Sequence, residues 1–152
     1  MIKNYKIGFS PYGFAAFALQ EVPALLWLLR PPAENPLAGN APATPLLGVL
    51  EQGGGILTVL LTLFLVRKDA PSPKFKSPYF ALAVLCLAVY DICWAGYFRG
   101  AADGWRIVLG LSAPVPLYYL FVALWLKNRP AAVPCLLFFI GHVGSNILNY
   151  LL

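Results

Sequence analysis

The chain has 152 residues, of which 60% are hydrophobic and only 11% are charged, and its mean hydropathy is +0.72. A soluble domain has about 25% charged residues and about 45–50% apolar ones, so this chain has too few charges to cover a water-facing surface. The composition excludes an ordinary soluble domain and predicts an integral membrane protein. The formal net charge of +5 does not indicate an acidic partner by itself, because the basic residues lie mostly between the apolar runs. Lys and Arg in that position set topology and contact lipid headgroups.

Five apolar runs follow one another along the chain, separated by clusters of charge and proline. Each has roughly the 20 residues that a helix needs to cross about 30 Å of hydrocarbon. The sequence therefore predicts one domain, 1–152, that is an all-α bundle of five transmembrane helices at about 10–29, 44–66, 77–98, 105–126 and 131–150. The longest connection is "RPPAENPLAGNAPAT". A loop of this length without periodicity is often functional, and we expect it to cover the mouth of a cavity.

The distribution of Lys and Arg predicts the orientation of the bundle. Eight of the eleven basic residues fall in the N-terminal segment and in alternate connections, and the other three fall on the opposite side. The positive-inside rule then places the N-terminus in the cytoplasm and the C-terminus outside, in a plasma (inner) membrane. The first apolar run is long enough to span and has no cleavage signal, so we expect it to be retained as a helix.

Four ionisable residues lie inside the apolar runs rather than between them: Glu21, Glu51, Asp91 and His142. At 1.5 Å per residue from the midpoint of each run, Glu21 and His142 fall within about 2 Å of the bilayer centre. Asp91 falls roughly 5 Å, and Glu51 roughly 6 Å, toward the outer side. An acidic residue at a helix centre costs about 2.5–3.5 kcal/mol on insertion, so such groups face the bundle interior. The common depth predicts a polar cavity in the outer half of the bundle.

Other residues near this layer are predicted to complete the site. Gln52 follows Glu51, Asp91 is flanked by Tyr90 and Trp94, and Asn146 lies one turn after His142. The glycines after Gln52 would let a neighbouring helix or a ligand approach the backbone closely. The predicted ligand-binding or proton-relay set is therefore Glu21, Glu51, Asp91, His142, Asn146, Gln52, Tyr90 and Trp94.

Three functions are compatible with such a cavity. The first is binding or transport of a small cationic or amphipathic solute, held by carboxylate charge and cation–π contacts and coupled to protons, because desolvation favours the neutral form of a carboxylic acid. The second is an intramembrane enzyme that uses the acids and the histidine for acid–base chemistry on a lipid-like substrate. The third is an accessory or structural subunit without catalysis.

Other motifs and partners complete the sequence-based expectations. No catalytic residue, cofactor or metal site is assigned, because no HExxH-like spacing, Walker loop or GxGxxG is present. The three cysteines lie singly in apolar runs and are expected to be packing residues. The expected partners are membrane lipids, the small ligand and further copies of the chain; no nucleic acid is expected, and the basic loop "RKDAPSPKFK" is expected to meet anionic lipid.

Overall fold

The structure is a computed structural model that describes residues 2–69 and 72–152. Its five helices are α1 (Pro11–Leu29), α2 (Pro45–Phe64), α3 (Pro78–Tyr97), α4 (Pro114–Trp125) and α5 (Arg129–Tyr150). A π-helical segment, Arg106–Ser112, leads into α4. Counted with that segment, all five helices are long and apolar enough to cross a membrane. The prediction of a helical fold with five such helices is confirmed.

Capping side chains and prolines set where the helices begin. Ser10, Thr44 and Asn128 each accept a hydrogen bond from the backbone N–H three residues further on, at the starts of α1, α2 and α5. Each of the five helices also has a proline in its first turn, where the missing N–H is not needed. The cap at Asn128 explains why α5 begins at Arg129, slightly before the predicted start at 131.

A short two-stranded ribbon joins the N-terminal segment to the end of α2. Strand β1 (Tyr5–Ile7) pairs antiparallel with β2 (Leu65–Arg67), with Tyr5 opposite Arg67. The helix predicted to continue to 66 therefore ends at Phe64, because the next three residues are extended and hydrogen-bonded to β1. This ribbon is the departure from an all-helical fold within the described residues.

The fourth run differs from the predicted α-helix over 105–126 in its first two turns. The N–H of Ala113 bonds to the carbonyl of Val108, five residues back, and the wider π-helical turn extends over Arg106–Ser112. Pro114 has no N–H to donate to a normal helical turn, and its ring disfavours one. Segments of this kind occur often at functional sites, and here Ile107, Leu111 and Ser112 are among the buried side chains.

Glycines allow α2 and α5 to pack with their backbones in contact. A Cβ atom on Gly54 would overlap the backbone of Phe138, and one on Gly141 would overlap the backbone of Glu51. Such close approach is what small residues permit between helices in membranes. It brings Glu51 of α2 beside His142 of α5.

The two ends of the bundle differ in charge. Tyr5 donates a hydrogen bond to the carbonyl of Lys127 (3.1 Å), and the Trp125 indole donates to the carbonyl of Lys74 (3.1 Å). The N-terminal segment, the α2–α3 connection and the α4–α5 turn therefore share one end, called the basic end, which holds eight of the eleven basic residues. The opposite end, called the loop end, carries the long connection 30–44.

The outward faces of the helices are apolar. Leu29 is 80% exposed, Ile92 71% and Val49 70%, and many other leucines and valines are also exposed. Such continuous apolar exposure is not found on ordinary soluble monomers.

Candidate ligand-binding cavity

A cavity of about 340 Å³ lies between α1, α3, the π-helical segment and α5, toward the loop end. Its polar and aromatic lining consists of Gln20, Glu21, Trp27, Asn40, Tyr90, Trp94, Ser112, Phe138, His142 and Asn146. Apolar side chains of the same elements complete the wall. Of the eight residues predicted for the site, Glu21, Tyr90, Trp94, His142 and Asn146 line this cavity.

Glu51 and His142 form a pair at one side of the cavity. His142 Nδ1 lies 2.8 Å from Glu51 Oε1, and each side chain is 22% exposed. Glu51 does not line the cavity itself; it lies behind His142 and fixes the orientation of the imidazole. A carboxylate and an imidazole at this distance can share and exchange one proton.

Asn146 of α5 hydrogen-bonds to its own helix, to the π-helical segment and to the long connection. Its amide Nδ2 donates to Ser112 Oγ (3.1 Å) and to the carbonyl of His142 (2.7 Å), and its Oδ1 accepts from Asn40 Nδ2 (3.1 Å). These bonds connect α5 to the π-helical segment and to the long connection. Because the amide of Asn146 is already engaged on both sides, it positions the wall of the cavity.

Gln20 is a site residue that the sequence analysis did not single out. Its side chain is 5% exposed, its Oε1 accepts from the Tyr119 hydroxyl (2.9 Å), and its Nε2 donates to the Tyr90 hydroxyl (3.2 Å). The amide therefore links α1, α3 and α4 in the interior. The signal was present in the sequence, since Gln20 is an uncharged polar residue in mid-helix next to Glu21, but only ionisable groups were ranked by depth.

Two polar groups at the cavity have no partner among residues 2–69 and 72–152. The Glu21 carboxylate makes no hydrogen bond or ion pair with another described side chain, and the buried Trp94 indole N–H has no acceptor. None of the described lining residues is Lys or Arg. The cavity therefore offers the Glu21 carboxyl group as an acceptor without a partner, in a lining that has no Lys or Arg among the described residues.

The structure does not bring Asp91 and Gln52 to this cavity. Both side chains are exposed: Asp91 lies on the outward face of α3 beside Ile92, and Gln52 lies on the outer surface of α2. The four ionisable residues that were predicted to share a depth therefore do not all line one cavity. In the described part of the chain, no three His, Cys, Asp or Glu side chains converge as a metal site requires.

The long connection folds over the loop end of the cavity. Asn35 Oδ1 accepts from the Trp27 indole and from the Tyr97 hydroxyl, both at 2.8 Å, and the Leu37 N–H donates to the same hydroxyl at 3.1 Å. Leu37 and Asn40 themselves line the cavity. The connection is therefore fixed to three of the helices that surround the site.

Five apolar helices surround a cavity with both polar and apolar lining residues. The protein is therefore a small helical bundle whose helices are long and apolar enough to span a membrane. No protein-family model, curated protein or solved structure matches the chain. A function is therefore proposed from the chemistry of the cavity.

Proposed function

We propose that the chain is an integral membrane protein that spans a plasma (inner) membrane five times, with its basic end in the cytoplasm. The apolar exterior and the excess of Lys and Arg at one end support this orientation. Single cysteines replacing Lys6 and Glu34 in a cysteine-free chain test it. A membrane-impermeant maleimide added to intact cells should label position 34 and leave position 6 unmodified.

We propose further that the cavity binds, or carries across the membrane, a small cationic or amphipathic solute. The observation that carries the proposal is the Glu21 carboxylate, which lines the cavity without a partner among the described residues, in a wall without Lys or Arg. An unpaired carboxylate in a low-dielectric site favours a cation beside it.

The aromatic lining supports the same class of ligand. Trp27, Tyr90 and Trp94 line the cavity together with Glu21, and their rings attract a cation positioned over their faces. A protonated or quaternary amine with an apolar body fits this combination of a carboxylate and aromatic rings.

The Glu51–His142 pair is the proposed site of proton coupling. A bound cation and a proton repel each other in the same cavity, so ligand binding is proposed to be coupled to proton release. His142→Gln keeps a side chain that can hydrogen-bond to Glu51 but has no titratable ring. We expect wild type to release protons on ligand binding in weakly buffered detergent solution, and we expect this release to disappear in His142→Gln.

Binding of benzyltrimethylammonium, compared with its neutral isostere neopentylbenzene, tests the ligand class. We expect Glu21→Gln to weaken binding of the cation about tenfold or more, because the cation loses its charged partner in the half-buried lining, and to leave the neutral compound unaffected. Asp91→Asn is the matched control, since it also removes a carboxylate from a helix interior position but outside the cavity. Equal losses in Glu21→Gln and Asp91→Asn would contradict the proposal.

The geometry of His142 supports a second candidate, an intramembrane enzyme. An imidazole oriented by a carboxylate at 2.8 Å is a suitable general base, and it lines an apolar-walled cavity open to a lipid-like substrate. Product formation from extracted membrane lipids that is lost in His142→Gln would favour the enzyme. Absence of both turnover and cation binding would favour an accessory role.

A further inference from the structure

A second cavity, of about 490 Å³, lies at the basic end of the bundle. Five basic residues line it: Arg67, Lys74, Lys76, Lys127 and Arg129. None of its described lining residues is acidic, and none of the five cations has a carboxylate within ion-pairing distance in the described part of the chain. Three of the charges come from the α2–α3 connection and two from the α4–α5 turn, which are distant along the chain, so their convergence is a product of the fold.

Specific hydrogen bonds hold these segments together. The Trp125 indole donates to the carbonyl of Lys74, and the Tyr5 hydroxyl donates to the carbonyl of Lys127. The ribbon places Arg67 beside them. Five like charges held near one another repel, and the fold keeps them together best when an anion lies between them.

The backbone of Lys127 supports a role for its side chain. Lys127 has φ +56°, in the left-handed region, and the next N–H, that of Asn128, bonds to the carbonyl of Ala123 (2.8 Å) to close the end of α4. This position in a helix terminus favours glycine. A lysine costs backbone strain at this position, and a need for its positive charge would explain why it is found there instead of glycine.

An apolar groove of about 360 Å³ adjoins the basic cavity and runs between α1 and α3. Trp125 lines both spaces, and the groove is otherwise formed by apolar and aromatic side chains that include Tyr12, Phe80, Leu87 and Val122. No charged residue is among its described lining residues. A cationic cavity next to an apolar groove, with aromatic side chains at their junction, matches a phosphate headgroup joined to an acyl chain.

We propose that these two spaces form one binding site for an anionic phospholipid of the leaflet at the basic end. The phosphate lies among the five cations, and one acyl chain lies in the groove between α1 and α3. The site rests on the membrane insertion proposed above and is independent of the ligand of the first cavity, because the two sites share no lining residue.

The full chain in detergent, titrated with dioleoyl phosphatidylglycerol, tests this site by native mass spectrometry and thermal unfolding. We expect one tightly retained phosphatidylglycerol and a raised unfolding temperature, with no effect of dioleoyl phosphatidylcholine. Lys127→Gly should lower the affinity about fivefold, since one surface cation contributes about that factor. The same variant should unfold at an equal or higher temperature without lipid, because it relieves the backbone strain. If Lys127→Gly retains less phospholipid but unfolds at the same or a higher temperature, Lys127 acts in lipid binding and not in folding.

Two further variants define the site and its occupant. Ala15→Trp fills the groove, where Ala15 is an exposed lining residue, and should reduce retention of the phospholipid while leaving the five cations in place. Lys6→Gln removes a charge from the same end outside the cavity and should have little effect. The proposal is overturned if Lys6→Gln weakens binding as much as Lys127→Gly, which means diffuse attraction. It is also overturned if inorganic phosphate stabilises the protein as well as the phospholipid does, because the site would then bind a soluble anion rather than a lipid.

Discussion

Gln20 joins two tyrosines that are 70 and 99 residues away along the chain. Replacing it by leucine leaves the Tyr119 hydroxyl without its acceptor and the Tyr90 hydroxyl without its donor in the buried interior. We expect Gln20→Leu to lower the free energy of unfolding by about 1–3 kcal/mol, the usual penalty for unsatisfied buried polar groups. Chemical unfolding followed by tryptophan fluorescence measures the change.

The double variant with Tyr119→Phe provides the control for this prediction. Once the Tyr119 hydroxyl is removed, replacing Gln20 by leucine should cost less than it does in wild type, because fewer groups are left unpaired. Equal effects in both backgrounds would mean that the Gln20–Tyr119 hydrogen bond contributes nothing to stability.

At the scale of single residues, the sequence could predict the position of a polar residue along its helix but not whether the residue faces inward or outward. Tyr90 and Asp91 are neighbours at the same depth, yet Tyr90 is buried against Gln20 and Asp91 faces outward. Helix α3 is apolar on nearly every face, so hydrophobic periodicity gives no inward side. The inward face follows from long-range packing, such as the Gln20–Tyr90 bond, which no local pattern contains.

At the scale of elements, the three consecutive glycines of α2 have unequal roles. A Cβ on Gly53 meets nothing within 4 Å, whereas a Cβ on Gly54 would overlap the backbone of α5. We expect Gly54→Ala to destabilise the protein by about 1–3 kcal/mol through overpacking. Gly53→Ala should be neutral or stabilising by up to about 1 kcal/mol, because alanine has the higher helix propensity. Unfolding temperatures of the two variants, measured side by side, check the difference.

Gly53→Ala also serves as the matched control for backbone effects, since both substitutions add the same methyl group one residue apart. If both variants unfolded at the same temperature, the close α2–α5 contact would not exist in solution. Gly54→Ala should in addition weaken ligand binding, because displacement of α5 moves His142 away from Glu51.

The positions of the five helices were largely predictable, whereas their internal geometry was not. Runs of apolar residues bounded by proline and charge give spans within a few residues of those observed. The π-helical turn before Pro114 and the ribbon formed by Leu65–Arg67 were not predicted. Both depend on hydrogen bonds that apolar composition does not indicate: one to a carbonyl five residues back, and the others to a strand near the N-terminus.

At the scale of the whole molecule, Asp91 is a carboxylate on an apolar surface. It lies roughly 5 Å from the middle of α3, where an acidic residue is expensive in hydrocarbon. We expect Asp91→Leu to raise the unfolding temperature of the chain in neutral-lipid nanodiscs, by an amount equivalent to about 1–3 kcal/mol. Glu21→Leu should give a smaller gain, because the Glu21 carboxylate faces the cavity rather than the surrounding hydrocarbon. A lower unfolding temperature for Asp91→Leu would contradict the placement of this carboxylate on the outward apolar surface.

The contact between Glu51 and His142 also has a consequence for biosynthesis. The two residues are 91 positions apart, and a ribosome needs about 5–18 s to add that many residues. Once Phe64 has been added, α2 is complete for the rest of this interval, while the helix that covers its glycine face is still unmade. Under the membrane insertion proposed above, Glu51 lacks its His142 partner until α5 has been made. Under the same proposal, we expect nascent chains arrested before α5 to be degraded faster than complete chains.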